Sequence, residues 1–143
     1  MTNSADLSFL LNDFVDRVPH VSHVIGVAAD GILIAANDAL PAEEAERLAA
    51  IAAGLTSLLN GAAQSLRSGP VSSNLTEMHG GYMFSMSVSN GASLLALAGF
   101  GCDIGQVGHE LSNLINQVGP ALTPDLRHGT QSSVASGGYA YGQ

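Results

Sequence analysis

The sequence predicts an α/β domain of the α+β kind, its elements in the order helix, hairpin, long helix, three-stranded meander, helix. Three observations carry this. Residues 5–18, 41–66 and 104–118 place apolar side chains at i, i+3, i+4 and i+7, the period of one helix face. Between them lie short β-branched or alternating runs joined by Asp30-Gly31 and Asn90-Gly91, dipeptides favoured in hairpin turns. Turns this short cannot hold a crossover helix, so the strands they join are antiparallel.

In the first helix Leu7, Leu10, Leu11, Phe14, Val15 and Val18 form the apolar face, and Pro19 stops it. Asn3 or Ser4 caps its start, with Asp6 placed as in a capping box. Residues 20–36 form a hairpin. Its first strand has Val21, Ile25 and Val27 on one face and Val24, Gly26 and Ala28 on the other, so both faces are expected to be covered. His20 and His23 fall on opposite faces of that strand and have no further ligand at suitable spacing, which argues against a metal site.

Residues 41–66 form the long helix, ~39 Å at about 1.5 Å per residue. Pro41 and the early Glu43, Glu44 and Glu46 suit a helix start. Leu48, Ile51, Leu55, Leu58, Leu59, Ala62 and Leu66 are expected to be its core stripe. Ala50, Gly54, Ser57 and Gly61 form a second stripe with almost no side chain, the expected contact face for another backbone, with Arg47 on its shoulder.

Ser68-Gly69-Pro70 breaks the chain, and residues 71–78 read as a weakly hydrophobic edge strand. Val71, Ser73 and Leu75 of that strand are assigned to an interface together with the bare helix face. His79-Gly80-Gly81 is a turn, and residues 82–89 alternate strictly, Tyr82, Phe84, Met86 and Val88 against serines. Residues 92–98 complete the meander. Asp103 caps the last helix, with Ile104, Val107, Leu111, Leu114, Ile115 and Val118 as its apolar stripe and Gly119-Pro120 as its expected end. The domain is placed at residues 1–122, and residues 123–143, small and polar, are expected to be a disordered tail.

Composition removes whole classes of function. The net charge is −8 and the only basic residues besides histidine are four arginines, so no basic stripe is available for nucleic acid or an anionic membrane. The single Cys102 cannot form an internal disulfide and fits a reducing cytoplasm. No signal peptide or membrane span is expected, and the protein is placed in the cytoplasm. Without lysine there is no P-loop. Gly99-Phe100-Gly101 begins a dinucleotide-type fingerprint, but Ile104 stands where its third glycine is needed. Cys102 precedes a helix, where a thiol pKa can fall, yet no base is set beside it. No catalytic constellation, cofactor site or metal site is expected.

The order and spacing of VIGVAADGILIA (residues 24–35), the small-residue helix, MHGGYMFSMSVSNGASLLALAG (residues 78–99) and CDIGQVGHELSNLINQVGPALTPDLR (residues 102–127) resemble the roadblock/dynein light chain domain, over about residues 7–122. The last segment looks especially like the actinobacterial, gliding-regulator-like type. The resemblance implies one five-stranded antiparallel sheet, with the long helix on one face and the terminal helices on the other. It implies a homodimer in which the third strands pair edge to edge and the long helices pack together. Such domains generally have no chemistry of their own and act as platforms for Ras-like small GTPases. Relatives of the gliding-motility type stimulate GTP hydrolysis, and the actinobacterial type sits in a signalling set with a sensor-kinase-like membrane protein. The expectation is a non-enzymatic homodimeric GTPase regulator or adaptor. The alternative is a dimeric small-molecule-sensing module.

Overall fold

The computed structural model describes residues 4–88 and 91–122. Its elements are α1 (Ser4–Arg17), β1 (Val21–Val27), β2 (Leu33–Ala36), α2 (Ala42–Leu66), β3 (Ser73–Met78), β4 (Gly81–Ser87), β5 (Ser93–Ala98) and α3 (Ile104–Leu122). The strands form one antiparallel sheet in the order β2-β1-β5-β4-β3. The caps assigned to Asn3, Ser4 and Asp6, and the tail assigned to residues 123–143, lie outside the described residues and side chains.

Strand alternation sorts the sheet into two cores. On one face Val24, Leu94, Ala96, Phe84 and Tyr82 meet Leu7, Leu11 and Phe14 of α1 and Val107, Leu111, Leu114 and Val118 of α3. On the other, Ile25, Val27 and Leu95 meet Ala45, Ala49 and Ala52 of α2. β1 is covered on both sides, which explains why both of its faces are apolar. Buried Asn37 extends the β1–β2 pairing by one rung: its side-chain Oδ1 accepts from Val24 N–H at 2.9 Å while its backbone N–H donates to Val24 O at 3.1 Å.

The first hairpin loop is one residue longer than its dipeptide suggests. Gly31 N–H donates to Ala28 O and Ala28 N–H to Ile32 O, both at 2.9 Å, leaving Ala29, Asp30 and Gly31 in the loop with Gly31 at φ 90°. That is a turn closed by a glycine bulge. In the second, Val88 N–H donates to Ala92 O at 2.8 Å, while Asn90 lies outside the described residues. β3 and β4 are joined through His79-Gly80, and Gly81 must be glycine because a Cβ there would overlap the carbonyl of Ala98.

α3 continues through Gly119 and Pro120 to Leu122, beyond its expected end. Leu122 is 2% exposed and lies over Gly26, where an added Cβ would stand 2.8 Å from its side chain. Burying a leucine contributes ~1.5–3 kcal/mol, enough to offset most of the ~3 kcal/mol a proline costs within a helix. At the other end, Asp103 Oδ1 accepts from Gln106 N–H at 3.1 Å, as a cap should.

Candidate interaction surface

α2 starts after Pro41, which occupies the cap position (φ −59°, ψ 143°), and ends at Arg67 in the left-handed conformation (φ 56°). Its apolar stripe does not lie as the sequence suggested. The side chains against the sheet are the small Ala45, Ala49 and Ala52, each 0% exposed. The expected core stripe is turned roughly a quarter turn away at 100° per residue: Leu48, Leu55 and Leu59 are half-buried at its edge, and Ile51 (48%), Leu58 (77%), Ala62 and Leu66 (73%) face outward. The reason is bulk. Ile25, Val27 and Leu95 already fill the space above the sheet, so the helix approaches through the side that adds least volume.

Ala50, Gly54, Ser57 and Gly61 are exposed as well, and a Cβ at Gly54 or Gly61 would meet nothing within 4 Å. The outward surface of α2 therefore combines leucine, isoleucine and bare backbone. Residues 48–66 contain no charged side chain. A solvated helix face would normally be charged.

β3 is the second unfinished feature. It is an outer strand, and among the described residues no strand pairs with its far side. Ser72 O accepts from Ser87 N–H at 2.8 Å, and the two-residue alternation of an antiparallel ladder then turns the backbone groups of Ser73, Leu75 and Glu77 outward. Leu75 is 44% exposed and Met78 43%. Val71 precedes the strand, contrary to the range read from the sequence. Its N–H donates to Asn60 Oδ1 of α2 at 3.0 Å and its C=O accepts from Ser87 Oγ at 2.9 Å, so its backbone fastens the end of α2 to the edge and is not free for a partner. Beside it, Val71, Ser72 and Met86 face Ser112, Ile115 and Asn116 of α3 across an open cleft of about 480 Å³.

The family model of the Roadblock/LC7 domain matches residues 9–98. The chain belongs to this family. A crystal structure of a Roadblock/LC7 domain from Streptomyces avermitilis is 29% identical with a TM-score of 0.76, covering 80% of this chain and 96% of that one. A second from the same organism is 33% identical with a TM-score of 0.63, covering 78% and 96%. Myxococcus xanthus MglB shares the fold at 14% identity, with a TM-score of 0.74 over 82% and 95% of the two chains. No curated protein matches.

The chemistry of this Roadblock/LC7 domain is sparse. Burial and the neighbouring Asp103 carboxylate push the Cys102 thiol pKa up, away from a reactive thiolate. Among the described residues no three histidine, cysteine or carboxylate side chains are grouped to hold a metal. No helix among them is long and apolar enough to cross a membrane. Arg17 donates hydrogen bonds to Asp13 Oδ2 (2.8 Å) and Glu110 Oε1 (3.1 Å), which raise its pKa and, through Glu110, tie α1 to α3. Arg47, on the same helix as Glu43, Glu44 and Glu46, makes no ion pair among the described residues, nor does Arg67. Arg127 lies outside the described residues.

The interface reading thus lands on exposed positions at Arg47, Ala50, Gly54, Ser57, Gly61, Ser73 and Leu75. Ile51, Leu58 and Leu66, which the helical period assigned to the core, are exposed on the same helix. The missing charge between Glu46-Arg47 and Arg67 was the signal that would have found them.

Proposed function

We propose that this Roadblock/LC7 domain is a non-enzymatic homodimeric regulator or adaptor that binds a Ras-like small GTPase within a cytoplasmic signalling complex, with a sensor-kinase-like membrane protein as a further partner. Family membership supports the regulatory role. The observation that carries the dimer is the uncharged outward face of α2 beside the free edge of β3. Covering what Ile51 (48%), Leu58 (77%) and Leu66 (73%) still expose in each of two copies, at ~1.5–3 kcal/mol per fully buried side chain, yields roughly 6–12 kcal/mol, comparable with the ~4–15 kcal/mol that association costs. Edge pairing of β3 then decides the balance.

Stimulation of GTP hydrolysis, in this reading, comes from holding the GTPase's own residues in place. An inserted arginine is worth roughly 10³–10⁵ in rate. Arg17 is occupied, and Arg47 sits on the face assigned to the dimer. Arg47→Ala is expected to change stimulated hydrolysis by less than about tenfold, some 1.4 kcal/mol. Loss of stimulation with binding intact would instead make it an arginine-finger protein.

The test of the partner is a pull-down from lysate of the source cell with GDP and GTP supplied in parallel. Recovery of a small GTPase supports the proposal. The cleft between β4 and α3 favours a second reading, a ligand-sensing dimer, because about 480 Å³ lies within the usual range for small-molecule sites. A small molecule retained in native mass spectra, with no GTPase recovered, would decide for it.

A further inference from the structure

The cleft beside α3 and the stretch of chain that follows α3 match in chemistry. Half-buried Val71, Met86 and Ile115 make the apolar part of the cleft, and exposed Ser72, Ser112 and Asn116 its polar part. Among the described residues no charged side chain lines it. A charged occupant would find no counter-charge there, and covering an unpaired charge is costly.

Residues 129–143 suit such a cleft. They carry no charged side chain, and two of the chain's three tyrosines stand among them, at 139 and 141. A tyrosine offers a ring to an apolar surface and a hydroxyl to polar neighbours. Two residues apart, the pair points the same way from an extended segment, about 6–7 Å from one another. We propose that Tyr139 and Tyr141 seat in this cleft on the copy that carries them, their rings against Met86 and Ile115.

Reach favours the chain's own tyrosines over a free peptide. Ser112 and Asn116 lie about 9–15 Å back along α3 from Leu122, its last residue. Residues 123–138 are rich in serine, threonine and glycine, and sixteen residues of such a linker span roughly 20–24 Å. The linker covers the gap without stretching, which sets the local concentration of the tyrosines near ~1 mM. A seat that held the free segment with a Kd of only about 1 mM would then be half filled. A single copy suffices, so the seat does not depend on the homodimer. A small molecule entering the same cleft has to displace the tyrosines.

Nuclear magnetic resonance of the full chain tests this. Removing residues 139–143 is expected to shift the backbone amide signals of Ser72, Ser87 and Asn116, and to leave those of β2, at the far edge of the sheet, in place. A synthetic peptide of residues 134–143, added to the shortened chain in excess of that Kd, is expected to move them back. Tyr139→Ser with Tyr141→Ser is expected to reproduce the shifts at full length, which separates the rings from the length of chain. A nitroxide on Gln143→Cys, in a Cys102→Ser background, is expected to broaden the same amides, and the double serine change to abolish that broadening.

Cleft amides that ignore both the removal and the double serine change overturn the proposal, as does broadening that survives the double serine change. Broadening seen only between a spin-labelled chain and a separate isotope-labelled one moves the tyrosines to a neighbouring copy and overturns the seat on their own. A small molecule carried through purification equally by full and shortened chains, with the cleft amides unmoved, gives the cleft to that ligand instead.

Discussion

At the scale of single residues, α2 meets the sheet through alanines that its period assigned to neither of its two stripes, while its expected core leucines turn outward. Ala49 and Ala52 are buried at 0% exposure while Leu58 is 77% exposed. Enlarging a buried alanine forces side chains off their rotamers, so Ala52→Leu should lower stability in urea by about 1–3 kcal/mol. Leu58→Glu should leave the far-ultraviolet circular dichroism unchanged and abolish self-association in sedimentation. If Leu58→Glu unfolded the chain, the leucine would have to be core after all. A helical period reveals that a face is apolar but not which of two apolar faces meets the sheet. That choice depends on the bulk of Ile25, Val27 and Leu95, which the helix sequence does not contain. The pairing of Arg17 was hidden in the same way, since Glu110 lies on another helix. Arg17→Ala should cost roughly 0.4–2 kcal/mol, two half-exposed pairs at ~0.2–1 each, read as a lowered melting temperature.

At the scale of elements, strand alternation and hairpin dipeptides were legible because each is local. Tyr82, Phe84 and Met86 face the α1/α3 core as their spacing required. The end of α3 was not legible, because Gly119-Pro120 is a local stop and the seat of Leu122 on Gly26 is a distant contact. β3 yields the sharpest prediction here. The outward alternation at Leu75 means that its N–H is not used by β4, so proline there removes a group available only to a partner. Leu75→Pro should preserve the fold by circular dichroism and break self-association by light scattering. Thr76→Pro, whose N–H faces β4, should unfold the β3–β4 hairpin instead.

At the scale of the whole molecule, the two-sided burial of β1 and the order of elements announced a sheet covered on both faces, and the Roadblock/LC7 match agrees with that architecture. The candidate interaction surface was only half legible. Its bare backbone at Gly54 and Gly61 could be read from small residues, whereas its leucines could not be told from core until the sheet was in place. What joins these scales is the proposed self-association, supported by the apolar side chains that α2 exposes along an uncharged span and by the outer edge of β3, which has no neighbouring strand among the described residues. Multi-angle light scattering of the purified chain at tens of micromolar, on the order of a weak-interface Kd, tests this most directly. The account predicts about twice the 14.5 kDa chain mass, falling to a single chain mass for Leu58→Glu and for Leu75→Pro. A wild-type mass of 14.5 kDa would contradict it.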